Sequence, residues 1–403
     1  MIKPELLAPA GDPEKLKVAI AYGADAVYVG GKKFGLRAGA GNLATDEIGE
    51  CVKFAHSHGV KIYVTVNIFA HNRDLEELPD YLKYLQKYHV DALIISDPGV
   101  LALTRDTVPD MPVHLSTQAN TTNWQSARFW AKTGVERIVL ARELSLKEIN
   151  EINTKIKVDL ECFVHGAMCI SYSGRCLLSN YFTGRDANKG DCAQACRWRY
   201  ALVEEKRPGI HLPIVEDDRG TYILSSQDLC LIEYIPELIN AGVMSFKIEG
   251  RMKSVHYVAG VVKAYREAID TYIAAPKKYQ FNTKWLVDIG KVSNRDFTTG
   301  FLFGQPNQPA HYNSNIYRRD YSFIGIVRGY DRQRKMTVIE QRNRFFAGDE
   351  IELFLPKGDS YTVVVPTMYD EDGTEVHAAP HPQQILYIPL TELPPYTMLR
   401  KLI

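Results

Sequence analysis

Seven cysteines occur in the chain, and three of them crowd into Glu161 to Cys176, ECFVHGAMCISYSGRC. Cys169, Cys176, Cys192 and Cys196 fall within 28 residues, and Cys230 lies further on, in the pattern C-x6-C, x15, C-x3-C, x33. Gly, Ser, Asn and Asp separate these five, a setting for ligands or nucleophiles more than for a packed core. Cys51 lies on the apolar stripe of an expected helix and Cys162 inside an expected strand, so both read as small core hydrophobes. Structural zinc favours paired CxxC-like knuckles. The irregular arms here suit a cubane iron–sulfur cluster on scattered thiolates at least as well, and spacing alone leaves the two metals open. A nucleophilic thiol would need a base, and His165 stands four residues before Cys169. A histidine near a cysteine is more often structural. No HExxH and no GxSxG occurs, so neither a zincin nor a hydrolase elbow has support.

What positions these thiols is a repeated phrase. GADAVYVGG (Gly23 to Gly31), HGVKIYVTVN (His58 to Asn67), HVDALIISD (His89 to Asp97), GVERIVLAR (Gly134 to Arg142) and GVMSFKIEG (Gly242 to Gly250) each end in a short apolar run. ELLAPAG (Glu5 to Gly11), MPVHLSTQA (Met111 to Ala119) and VDLECFVHG (Val158 to Gly166) fit the same mould, giving eight strands buried on both faces. Leu75, Leu78, Leu82 and Leu85 form a helical stripe, as do Ile48, Cys51, Val52 and Ala55, with Thr45 as N-cap and Asp46 and Glu47 in the first turn. Strands alternating with helices over residues 1–275 predict a (β/α)8, TIM-like barrel. A doubly wound open sheet is the alternative, but the first turn, APAGDPEK, lacks its GxGxxG. A cysteine-rich insertion of about 166–240 separates the seventh and eighth strands; a loop that long is functional or separately stabilised. Residues 276–319 read as a linker or helical segment, and 320–403 as a small all-β, barrel-like domain of short alternating segments.

In such a barrel, chemistry gathers where strands end. Those ends carry Asn67, Gln118, Arg142, His165, Lys247, Glu249 and Arg251, with Arg37 in the GLRAGAGN loop after the second strand. The ring is polar, with cations at Arg142, Lys247 and Arg251, and suits a small anionic ligand. His165, Lys247 and Glu249 are the candidates for catalysis. Glu161, inside a strand, is expected to make a structural hydrogen bond.

Lys+Arg and Asp+Glu both number 48, so a nucleic-acid partner must be met by a local basic patch. CRWRY (Cys196 to Tyr200), IYRRDY (Ile316 to Tyr321) and RGYDRQRK (Arg328 to Lys335) interleave cations and aromatics as RNA contacts do. No signal-peptide-like stretch and no apolar run of membrane-spanning length is present, so a cytoplasmic chain without a membrane partner is expected.

The run from Glu161 to Ser179 resembles the signature of the collagenase-like peptidases, family 32 of the peptidases of unknown mechanism. NYFTGRDANKGDCAQACRWRY (Asn180 to Tyr200), SSQDLC (Ser225 to Cys230), SFKIEGRMKS (Ser245 to Ser254) and SNRDFTTGF (Ser293 to Phe301) are similar to that family too, and LLAPAG and LSTQAN extend the likeness over most of the chain. Two-domain length resembles the prephenate-dependent tRNA uridine 5-hydroxylase branch. That resemblance implies hydroxylation of the wobble uridine in the tRNA anticodon region and a [4Fe-4S] cluster on Cys169, Cys176, Cys192 and Cys230, with Cys196 as the alternative ligand. It implies prephenate as co-substrate. By strand-end placement, Arg142, Lys247 and Arg251, with Arg37 a fourth candidate, would clamp the two carboxylates of prephenate, and Asn67 and Gln118 complete the expected substrate-binding set. A collagenase-like metallo- or thiol-dependent peptidase is the reading the family name carries. Relatives in oxygen-independent ubiquinone hydroxylation work in pairs, so a second subunit, or a non-catalytic role in a hydroxylase complex, stays open.

Overall fold

The computed structural model describes residues 3–35, 42–168, 227–304 and 320–403, with pieces at 178–183, 215–217 and 220–222 and single residues at 185, 193 and 195. Seven strands open the chain: β1 (Glu5–Pro9), β2 (Ala26–Gly30), β3 (Lys61–Val66), β4 (Ala92–Ile95), β5 (Val113–Leu115), β6 (Arg137–Val139) and β7 (Asp159–Ala167). The short pairs β8 (Val215–Asp217) with β9 (Gly220–Tyr222) and β10 (Asp228–Cys230) precede β11 (Val243–Ile248). β1 to β7 pair in parallel and in order, and β11 pairs in parallel with both β7 and β1, closing an eight-stranded barrel. Closure rules out the doubly wound open sheet. All eight strands fall on the expected apolar runs. Branched side chains fill the faces of strands covered on both sides, and β2, AVYVG, is buried throughout.

The helices follow the same logic: α1 (Pro13–Ala21), α2 (Thr45–Ser57), α3 (Asn72–Lys87), α4 (Pro98–Thr107), α5 (Trp124–Lys132), α6 (Leu146–Lys155), α7 (Leu178–Thr183), α8 (Ile235–Asn240), α9 (Val255–Ala274) and α10 (Lys284–Gly290). Leu78, Leu82 and Leu85 are the buried stripe of α3, and Ile48, Cys51, Val52 and Ala55 that of α2. The cap of α2 corrects the sequence reading. Ala44, not Thr45, is the N-cap, because the Glu47 carboxylate accepts the Ala44 N–H at 2.7 Å and no hydroxyl is needed.

Past α9, α10 packs on that helix and β12 (Phe297–Thr298) pairs with β10, extending the sheet beyond the barrel wall. The C-terminal domain is an antiparallel half-barrel of β13 (Tyr321–Asp331), β14 (Met336–Gln341), β15 (Glu350–Phe354), β16 (Tyr361–Val364), β17 (Met368–Tyr369), β18 (Glu375–Val376), β19 (Ile385–Ile388) and β20 (Met398–Leu402). Its order is β16-β15-β20-β13-β14-β19-β17-β18. Strands β18 and β20 escaped the sequence reading.

This domain docks on α1, α9 and α10. The Tyr22 hydroxyl donates to Phe354 O at 2.8 Å, and the Lys263 ammonium donates to Leu355 O and Gly358 O. Arg400, fully buried, reaches Asp288 and Glu352 at 2.8 Å, and Lys291 pairs with Glu352 at 2.9 Å. Arg328 and Arg342 both bond the Glu14 carboxylate of α1. RGYDRQRK is therefore partly a docking segment: Arg328 faces the barrel, and Arg334 lies on the Tyr387 ring.

Candidate active site

Most of the barrel's inner wall is apolar, with Leu7, Ala26, Tyr28, Tyr63, Ala92 and Ile94 packed together. One side carries a ladder of charges instead. Glu5 on β1 accepts from Tyr63 at 2.6 Å, from Ser245 at 3.2 Å and from Arg137 at 2.5 Å. Arg137 also lies 3.4 Å from Glu161 on β7, whose other oxygen accepts from the Lys247 ammonium at 2.8 Å. Glu161 is 0% exposed and Lys247 4%. Burial pushes the Glu161 carboxyl up, but Lys247 and Arg137 overcome it and hold the group below the usual carboxylate range. The side chain expected to make one structural hydrogen bond is thus an ionised member of a four-charge ladder. Lys247, expected as a clamp, caps that ladder.

Above it lies the mouth. Lys247 sits over the Tyr28 ring at 4.6 Å and 5.5 Å from the centre of Phe163, and Arg142 lies on the same Phe163 ring at 3.9 Å. Two predicted site cations, from β11 and the end of β6, therefore share one aromatic platform on β7. Arg142 also donates to Ala167 O at 3.0 Å. Asn67 donates to Gln118 at 2.8 Å, so these two predicted residues form a neutral hydrogen-bonding pair on the neighbouring rim. Glu249 accepts from the Tyr28 hydroxyl at 3.3 Å, and its backbone N–H holds His165 O at 2.8 Å.

Arg251 does something else. Its guanidinium crosses the rim from β11 to Thr65 on β3, at 3.2 Å, and bonds Asn42 at the end of the loop after β2. Gly30 is what lets it pass: a Cβ there would stand 2.2 Å from Arg251 Nη2. Arg37, Cys169, Cys176, Cys192 and Cys196 lie outside the described residues.

His165 turns away from this cation pair. A register shift between β7 and β11 at Lys247/Ile248 displaces the end of β7, and His165 lies among Tyr257 and Tyr265 of α9 and Phe297 of β12. Burial drives its pKa down to about 3. β10 runs antiparallel to β7 there, setting Cys230 opposite His165. Burial raises the Cys230 thiol to about 11, against hydrogen bonds from the Ile232 N–H and the Tyr265 hydroxyl. A thiolate–imidazolium nucleophile needs the opposite pair of shifts. A cation at the sulfur would reverse the thiol's preference. Among the described residues no group of three or more His, Cys, Asp or Glu side chains gathers for a metal. β10 is pinned by Asp228, which takes the Arg295 guanidinium at 2.8 and 3.1 Å and its backbone N–H at 3.1 Å. This pair escaped the sequence reading, since its members lie 67 residues apart.

The peptidase family U32 model matches residues 11–312, and the model of the U32 C-terminal domain matches 319–400. The chain belongs to peptidase family U32. Among curated relatives, the Bacillus subtilis "tRNA hydroxylation protein P1" is 46% identical over 99% of this chain and 95% of its own length. The Escherichia coli "tRNA hydroxylation protein P" is 36% identical over 97% and 95%. A further relative, the E. coli "23S rRNA 5-hydroxycytidine C2501 synthase", is 42% identical over 67% of this chain and 40% of its own length. No described helix is long and apolar enough to cross a membrane.

Proposed function

We propose that the chain is an RNA hydroxylase that acts on tRNA, adding a hydroxyl at carbon 5 of the wobble uridine with prephenate as co-substrate. The observation that carries this reading is the likeness over both domains to proteins named for tRNA hydroxylation, at 46% and 36% identity. The mouth supports it chemically. Arg142 and Lys247, spaced by one aromatic ring, suit a small dicarboxylate held by charge-assisted hydrogen bonds, and the Asn67–Gln118 pair offers neutral donors and acceptors for a base edge or a hydroxyl.

Cys169, Cys176, Cys192 and Cys230 would hold a [4Fe-4S] cluster, with Cys196 the substitute for Cys192. Cys230 fits the part: it is buried at the mouth end of β7, opposite His165. Such a cluster would supply electron transfer beside the mouth. The protein's own groups bind and orient. Arg142 and Lys247 hold the anion, and Glu161 keeps the Lys247 ammonium in place from below. A peptidase reading finds less support, because the described thiols Cys51, Cys162 and Cys230 are all pushed up by burial.

The test is hydroxylation by anaerobically prepared protein on unmodified tRNA with prephenate, read by mass spectrometry of nucleosides, beside tRNA from a deletion strain. The expected result is 5-hydroxyuridine formed in vitro and its derivatives lost in the strain. No product in vitro together with intact derivatives in the strain overturns the proposal.

A further inference from the structure

Phe163 and Lys247 are register partners on the neighbouring strands β7 and β11. Side chains paired in this way stand next to each other on one face of a sheet. Glu161, two residues earlier on β7, points into the barrel to meet Lys247, so the half-buried Phe163 points inward as well. Directly after this pair the register slips: Ile248 meets His165, and Val164 is passed over. A bulge re-aims the side chains beyond it, and His165 accordingly turns to α9. Phe163 is therefore the last large side chain that β7 sends into the barrel, and it floors the mouth.

Two cations use this ring. Arg142 arrives from the end of β6, with its guanidinium 3.9 Å from the ring centre and an N–H donated to Ala167 O at 3.0 Å. The Lys247 ammonium lies 5.5 Å from the same centre, 4.6 Å from that of Tyr28 and 2.8 Å from Glu161. An ammonium has three N–H donors, and Glu161 takes one. The two rings attract the charge more weakly than a carboxylate does, so an anion outcompetes them for the other two donors. Like charges this near repel, the more strongly where water is scarce. A ring shared by both cations offsets that repulsion with its negative faces, and its width keeps them apart. Without it they can converge on a single carboxylate. With it, each cation needs a carboxylate of its own.

We propose that Phe163 is the positioning residue that makes the mouth selective for dicarboxylates over monocarboxylates, by holding Arg142 and Lys247 one ring apart. The inference rests on the reading of the mouth as the co-substrate's site.

The full chain, prepared anaerobically, is titrated calorimetrically with phenylsuccinate, a dicarboxylate, and with 3-phenylpropanoate, which lacks one of its carboxylates. Parent, Phe163→Leu and Phe163→Tyr are compared, and each is assayed for tRNA hydroxylation over a range of prephenate concentrations. The parent is expected to bind phenylsuccinate roughly tenfold tighter than 3-phenylpropanoate, as one more charge-assisted contact implies. Phe163→Leu is expected to bring that ratio towards one and to raise KM for prephenate roughly tenfold with kcat little changed, the mark of lost ground-state binding. Phe163→Tyr keeps the ring and is expected to keep the ratio. Should Phe163→Leu fail to fold, 3,4,5-trifluorophenylalanine at position 163 keeps the shape while draining the ring's negative face, and is expected to lower the ratio. A folded Phe163→Leu or trifluorinated chain with the parent's ratio overturns the assignment, as does a parent that binds both probes alike. A parent that prefers phenylsuccinate yet forms no 5-hydroxyuridine supports the assignment and overturns the function proposed above.

Discussion

Glu161 and Lys247 sit 2.8 Å apart with almost no water to share. Such a pair contributes little over an apolar replacement, but removing one partner strands the other charge, at a cost of ~3–5 kcal/mol. Glu161→Ala is therefore expected to lose about that much stability in urea titrations, through an uncompensated Lys247. The double variant Glu161→Leu with Lys247→Met is expected to recover most of the loss while binding the dicarboxylate poorly. The pH dependence has a definite sign. The carboxyl is held below its unfolded value, so its contribution is complete above pH ~4.3 and is lost as pH falls below that. Glu161→Gln is expected to flatten this part of the acid limb, read as midpoint shifts at a series of pH values.

Between residues and fold, β10 is the exposed point of the design. Three residues long, it is held by β7, by β12 and by the Asp228–Arg295 clamp, and it carries Cys230, the cluster ligand proposed above. Burial pushes the Asp228 carboxyl up, and Arg295, with Lys253, more than reverses it. Arg295→Ala leaves that carboxylate buried without its main partner and is expected to cost ~3–5 kcal/mol. Hydrogen exchange at Leu229 and Cys230 is expected to rise before exchange in β1 to β6 does. A clamp like this is hard to read from sequence, because it depends on two loops meeting in space. The barrel strands were legible for the opposite reason: a strand covered on both faces must be a continuous branched apolar run. The ladder hid inside that same signal. Glu161 and Arg137 look like the polar steps of an ordinary strand until register brings them together. β20 was missed because its Arg400 and Lys401 break the apolar pattern, and Arg400 is there to join the domains.

At the scale of the whole molecule, three histidines among the described residues are buried uncharged, each with a pKa lowered to about 3 by burial. His114 stands inside the barrel against Tyr63, His165 at the end of β7, and His256 stacked on Phe323 between the domains. Each takes a proton near pH ~6.5 when unfolded but not when folded, so stability falls as pH drops from there towards 3. Each contributes a slope of ~1.4 kcal/mol per pH unit. Together they would remove about 8 kcal/mol over two units, a large share of the ~5–15 kcal/mol of a typical domain. Cooperative acid unfolding near pH 5 is expected, and His256→Phe is expected to shift its midpoint downward. Circular dichroism against pH checks both.

Barrel closure joins Glu5 to Ser245. During synthesis, the first strand must therefore wait for the last one to leave the ribosome, about 12–50 s at ordinary elongation rates. For that interval β1 has a free edge towards the missing strand. Every cysteine lies upstream of Val243, so all the thiols emerge before the strand that closes the barrel can arrive. Loading of the proposed centre on those thiols would thus begin on a nascent, open-sided sheet, with its timing set by translation as well as by chemistry.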